Sequence, residues 1–157
     1  MIIDRALSND RFERDLVPLL THAEMFQEIG IKVLRINFPQ IDVALWWRKM
    51  RREVILRVEA QEYDYLPVSG WWIDANGVPL LKGSRQVPHG MGFQCEDGHP
   101  HELPKTWFCF QGWREYHDHS GHQNIPWSSI MLEPKFRISG LIQQLNTDLN
   151  RSEVNVI

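Results

Sequence analysis

Two cysteines, no phosphate-binding loop, no surplus of basic charge and no long apolar run: the 157-residue chain is defined first by its absences. With only Cys95 and Cys109, a disulfide framework is excluded as the organising principle. The longest uninterrupted apolar run covers residues 43–47, far short of the roughly 20 residues that cross a bilayer, so no membrane span is expected. Met1-Ile2-Ile3-Asp4-Arg5 carries charge where a signal peptide needs its apolar stretch. Two thiols without such a signal point to a reduced, cytoplasmic protein. The net charge of -3 argues against a nucleic-acid binder, which would normally be basic. Neither G-x-x-x-x-G-K-[ST] nor G-x-G-x-x-G occurs, and Gly83, Gly90 and Gly92 do not make a phosphate loop. Without repeats, low-complexity tracts or linkers, residues 1–157 read as one domain.

What is abundant is tryptophan, with seven in one small domain. Each indole brings a large apolar area and a single N–H, which suits cores and interfaces alike. The first periodic element spans residues 9–29, where Phe12, Leu16, Leu20, Ala23 and Phe26 recur at helical spacing behind a cap from Ser8, Asn9 or Asp10. Pro18 should kink this helix or begin it, and Gly30 should stop it. The period then changes to 2. Leu34, Ile36 and Phe38 should share one side of a strand, followed by Val43, Leu45 and Trp47, then Val54, Leu56 and Val58. Residues 48–52 form a basic turn between the second and third strands. A fourth short strand over residues 70–74 ends at Ala75-Asn76-Gly77. Each pair Trp46-Trp47 and Trp71-Trp72 should send one ring inward and one outward, the outer rings being available to a partner. Patterning disappears from residue 78 to 129 and returns from Lys135, where Phe136, Ile138, Leu141, Ile142, Leu145 and Leu149 stripe a last helix opened by Pro134. The expected class is α+β: helix, four-stranded antiparallel meander, long irregular segment, helix.

Chemistry concentrates in that irregular segment. Both cysteines and six of the seven histidines (His89, His99, His101, His117, His119, His122) lie between residues 89 and 122. Cys109, Glu115, His117, His119 and His122 fall within fourteen residues. One reading is nucleophilic. A thiolate is a strong nucleophile, an ordinary thiol is mostly protonated at neutral pH, and an imidazolium nearby would raise the thiolate fraction. On an extended segment Glu115, His117 and His119 would share one side. The other reading is a zinc site, with Cys95-x3-His99 and His117-x4-His122 at ligand-like spacings and Glu115 as an oxygen ligand or outer partner. The C-x2-C knuckle is absent. For any single histidine the plain alternative is a loop residue bonded to backbone or water. His22 reads as a surface residue and Cys95 as structural.

The order of elements resembles the ubiquitin-conjugating fold. Glu53-Val54-Ile55-Leu56-Arg57-Val58, then Tyr63-Asp64-Tyr65-Leu66-Pro67, then Trp71-Trp72-Ile73 are similar to that family's third strand, Tyr-Pro bend and fourth strand. Cys109, then Pro126-Trp127-Ser128 and an Ile- and Leu-rich helix, resembles its Cys, Trp-Ser-Pro and helix succession. The family's His-Pro-Asn tripeptide is not matched; Leu103-Pro104-Lys105-Thr106 stands there. The interval from Cys109 to Trp127 is longer and carries Glu115, His117, His119 and His122. That Cys-Glu-His-His order resembles a divergent bacterial family of ubiquitin-like conjugation operons, once labelled a predicted metal-binding domain, which implies a setting in antiviral defence.

The resemblance implies that Cys109 accepts the C-terminus of a ubiquitin-like modifier from an activating enzyme as a thioester and passes it to an amine of a protein substrate. His117 or His119 would replace the missing Asn as oxyanion donor or act as the base, with Glu115 orienting an imidazole. The alternatives are a zinc-binding domain built on Cys109, Glu115, His117, His119 and His122, and an inactive interaction module of the same fold.

Overall fold

The computed structural model describes residues 4–81, 84, 86–94, 105–119, 121 and 124–156. Alternation builds its centre. Strand β2 (Gln40–Trp47) buries Val43, Leu45 and Trp47, and β3 (Arg52–Glu59) buries Val54, Leu56 and Val58 on the same face. With β1 (Ile31–Asn37) and β4 (Ser69–Ile73) they form an antiparallel sheet in the order β1-β2-β3-β4. The α+β architecture expected from the sequence, an N-terminal helix, a four-stranded antiparallel sheet and a C-terminal helix, is present.

The first helix is split. Helix α1 (Arg5–Thr21) starts before residue 9 because the Asp4 carboxylate accepts the N–H groups of Ala6 and Leu7 at 2.8 and 3.2 Å. It breaks at His22, one turn past Pro18, and α2 (Ala23–Glu28) carries on. Phe12, Leu16, Leu19 and Phe26 are buried, whereas Leu20 and Ala23, expected inward, are exposed. In β1 a bulge between Val33 and Arg35 shifts the register, and Leu34 is exposed. Ile36 pairs with Ile41 but is also exposed at the sheet edge. Phe38 meets the Phe12 ring edge-on at 5.2 Å.

Trp46 and Trp47 divide as expected, 42% and 0% exposed. Trp71 and Trp72 also take opposite faces, across from Arg57 and Leu56, but the outer ring is not available: the Lys105 ammonium covers the Trp71 ring at 3.3 Å from its centroid and both are buried.

At the other end, Pro134–Phe136 make a 3-10 turn leading into α5 (Ile138–Leu149), whose apolar stripe packs on α1 and β2. Arg137 locks this junction. Its guanidinium reaches Asp15 at 2.5 Å and Asp64 at 2.6 Å, while the Tyr63 hydroxyl donates to Asp15 at 2.6 Å. The bend after β3 is thereby tied to both helices. Among the described residues no helix is long and apolar enough to cross a membrane.

Between β4 and α5 the elements are very short: β5 (Phe93–Gln94), β6 (Trp107–Phe108), α3 (Arg114–Asp118) and α4 (Trp127–Ile130). Two to five residues cannot establish a period, which is why this stretch reads as patternless.

Candidate active site around Cys109

Cys109 directly follows β6. Its N–H donates to the Gly92 carbonyl at 2.7 Å, extending the β5–β6 ladder. Phe108 turns inward, its ring edge-on to Trp72, Phe93 and Trp113 at 5.2, 5.9 and 5.0 Å. Alternation then puts Trp107 and Cys109 together on the opposite side. Gly92 permits the approach: a Cβ there would stand 2.7 Å from the Cys109 carbonyl oxygen and from the Phe110 ring. The thiol is half-buried, and burial pushes its pKa above the ordinary cysteine value. This is opposite in direction to the effect expected of neighbouring imidazolium ions. The resting group is a thiol.

Past Cys109 the chain turns back through Phe110 to Gly112, and the Gly112 N–H donates to Nε2 of His117 at 3.0 Å. That bond requires a lone pair on Nε2, so the His117 ring proton resides on Nδ1. His119 stacks on Trp107 with an offset, ring centroids 6.3 Å apart and planes 22° apart. Its Nδ1 accepts the Gly121 N–H at 2.9 Å, which leaves Nε2 to carry the proton.

The extended run expected through Glu115, His117 and His119 is instead the helix α3 as far as Asp118, with His119 as its extended C-cap. Burial of Trp113 starts it, and the Arg114 N–H donates to the Val68 carbonyl at 2.7 Å. The Arg114 guanidinium donates to the carbonyls of Pro67 and Gln61 at 3.1 and 3.3 Å. Helical rotation turns Glu115 away from His117 and onto the sheet, where it is 5% exposed and accepts the Ser69 hydroxyl. Burial raises its pKa above the usual carboxyl range, against the Ser69 hydrogen bond and the Lys105 charge. Lys105 is pushed the other way: desolvation lowers it, opposed by Glu115 and Glu59.

The structure therefore places His119 beside Trp107, two positions before Cys109, uses His117 to hold the turn after Cys109, and uses Glu115 to dock α3 on β4. Among the described residues no three His, Cys, Asp or Glu side chains are grouped to hold a metal ion. Cys95, His99 and His122, candidates for the zinc reading, lie outside the described residues, as does His101 of the histidine cluster.

Gly92, Gly112, Ser69 and Trp107 were not singled out from the sequence as site residues. The paired glycines Gly90 and Gly92 ahead of β5 did carry a usable signal, since glycine beside a strand often marks close approach of another backbone. Ser69 carried none; its role exists only once Glu115 is folded onto it. Compared with models of known families and with curated proteins, the chain matches none.

Proposed function

We propose that this protein is a ubiquitin-conjugating-like transferase that carries a ubiquitin-like modifier as a thioester on Cys109. The observation that carries the reading is a half-buried thiol directly after β6, with His119 stacked on Trp107 two positions before it. In the loading step the Cys109 sulfur attacks the carbonyl of the modifier's thioester on an activating enzyme. The bond to the departing sulfur breaks, and the Cys109 proton passes to that thiolate. In the transfer step an amine of the protein substrate attacks the new thioester, the C–S bond breaks, and one amine proton returns to Cys109.

Both steps pass through a tetrahedral oxyanion. The Cys109 N–H is engaged with Gly92, so it is not the donor. The His119 Nε2–H is the donor we assign, because the ring's Nδ1 is engaged with Gly121 and its plane is fixed by Trp107. His117, bonded to Gly112, acts as a positioning residue for the turn after the nucleophile.

The test is a charging assay with an activating enzyme, ATP and a ubiquitin-like modifier, read on gels with and without reductant. Wild type should give an adduct that reductant removes, Cys109→Ser a reductant-resistant ester, and Cys109→Ala none. An adduct on Cys109→Ala would overturn the assignment. His119→Ala should slow transfer by about 10²–10³-fold, the usual cost of one oxyanion donor.

A further inference from the structure

The basic turn expected at residues 48–52 puts its side chains and backbone to specific use. The Lys49 ammonium donates to the Ser152 carbonyl at 2.5 Å, the Val154 carbonyl at 2.9 Å and Asn155 Oδ1 at 2.9 Å. An ammonium has three N–H donors, and three acceptors from one short tail converge on it. Arg52 donates to the Gln86 carbonyl at 2.6 Å, and the Arg48 N–H donates to Asn150 Oδ1 at 2.9 Å. One turn thus gathers the C-terminal segment and the chain leading to β5.

From that tail a short chain of backbone bonds runs to the thiol. Val154 is fully buried, and Asn155 and His89 exchange backbone hydrogen bonds at 2.7 and 2.9 Å. Next to them Gly90 adopts φ +113°, and a Cβ on it would stand 2.7 Å from the Glu153 carbonyl oxygen. Gly90 and Phe93 close a tight turn at 3.0 and 3.3 Å, and within it the Gly92 carbonyl accepts the Cys109 N–H.

We propose that Lys49 is a positioning residue for Cys109: it clamps residues 152–155 against His89, which fixes the turn at residues 90–93 and through Gly92 the backbone that presents the thiol. The consequence for transfer rests on the reading of Cys109 as the acyl carrier; the geometry does not, and it is tested without any modifier.

Lys49→Met keeps the aliphatic stem and removes the donors. Deuterium uptake at the Cys109 amide and iodoacetamide alkylation of Cys109 from pH 7 to 10, mapped by peptide so that Cys95 is read separately, are the measurements. The variant should exchange the Cys109 amide at least about tenfold faster, as local opening of its hydrogen bond requires. The pH midpoint of alkylation should fall toward the ordinary thiol value of about 8.5, because a loosened turn hydrates the sulfur. A general loss of stability would not move that midpoint in the folded protein. Lys32→Met, on exposed β1, should change neither. Should Lys49→Met not fold, Asn155→Ala carries the same test from the other side of the clamp, since it removes the Oδ1 acceptor of Lys49 together with the Nδ2 bond to the Glu153 carbonyl and leaves the backbone exchange with His89 in place. The proposal fails if uptake in residues 152–155 rises while the Cys109 amide and alkylation profile stay as in wild type. Failure of the charging assay with these results intact would instead reject the acyl-carrier reading alone.

Discussion

Two regions of this molecule bury ionisable side chains and satisfy them in opposite ways. At the junction of α1, the bend after β3 and α5, charge is met by charge: Arg137 with Asp15 and Asp64, and Arg11 with Asp64 at 2.8 Å. Desolvation pulls the Arg137 pKa down and is outweighed by Tyr63, Asp64 and Asp15, so the guanidinium ends above its ordinary value. Around Cys109 the hydrogen-bond partners shown are neutral: Ser69 for Glu115, Gly112 for His117, the Gly92 carbonyl for Cys109's own N–H, with the Trp71 ring under Lys105. There burial moves every shifted group toward its uncharged form, Glu115 and Cys109 upward and Lys105 downward. The first region is built to hold structure. The second is held by burial beside neutral partners, which favours the uncharged form of each shifted group.

The largest expected effect breaks the first region. Arg137→Met leaves Asp15 and Asp64 without their common partner and should cost about 3–5 kcal/mol in urea unfolding, as for other broken buried pairs. The alkylation profile of Cys109 in the folded variant should stay unchanged; a shift would mean that the two regions are not separate. Gly92→Ala tests the second region. The new Cβ collides with the Cys109 carbonyl and the Phe110 ring, and displacing the thiol by about 1 Å should slow charging by roughly 10²-fold. Charging at the wild-type rate would show that the backbone yields there without consequence.

The smallest effect sharpens the contrast. Glu115 is more easily protonated folded than unfolded, where a carboxyl titrates near about 4.3. The stability its neutral form contributes is present below that pH and is lost as pH rises through the raised folded value. Glu115→Gln keeps an acceptor for Ser69 and does not ionise. Its stability relative to wild type should therefore climb across that window and level off above it, read by denaturation at a series of pH values. A difference independent of pH would mean that the buried carboxyl is not what titrates.

Much of the framework was legible because it repeats. The strands β2 and β3 and the stripe from Phe136 to Leu149 are long enough for their periods to name the buried face, and Trp47 followed its alternation inward. Leu34 escaped because one extra residue in β1 reverses every side chain beyond it, and no local pattern announces a bulge. Trp71 escaped because its cover comes from Lys105, thirty-four positions away. At the site, composition alone drew attention to Cys109, Glu115, His117 and His119, but not to the use of each.

By itself the amino-acid order determined the class of fold, the buried faces of β2, β3 and the last helix, and the stretch where cysteine and histidine gather, since those depend on neighbours within a few residues. Only the tertiary structure decided that Glu115 docks on Ser69, that His117 holds Gly112, that His119 lies on Trp107 and that Lys49 reaches the last turn of the chain. The physical reason is the same in each case. A buried polar atom is satisfied by whichever partner folding delivers within about 3 Å, and for Glu115 and Lys49 that partner lies far away in sequence.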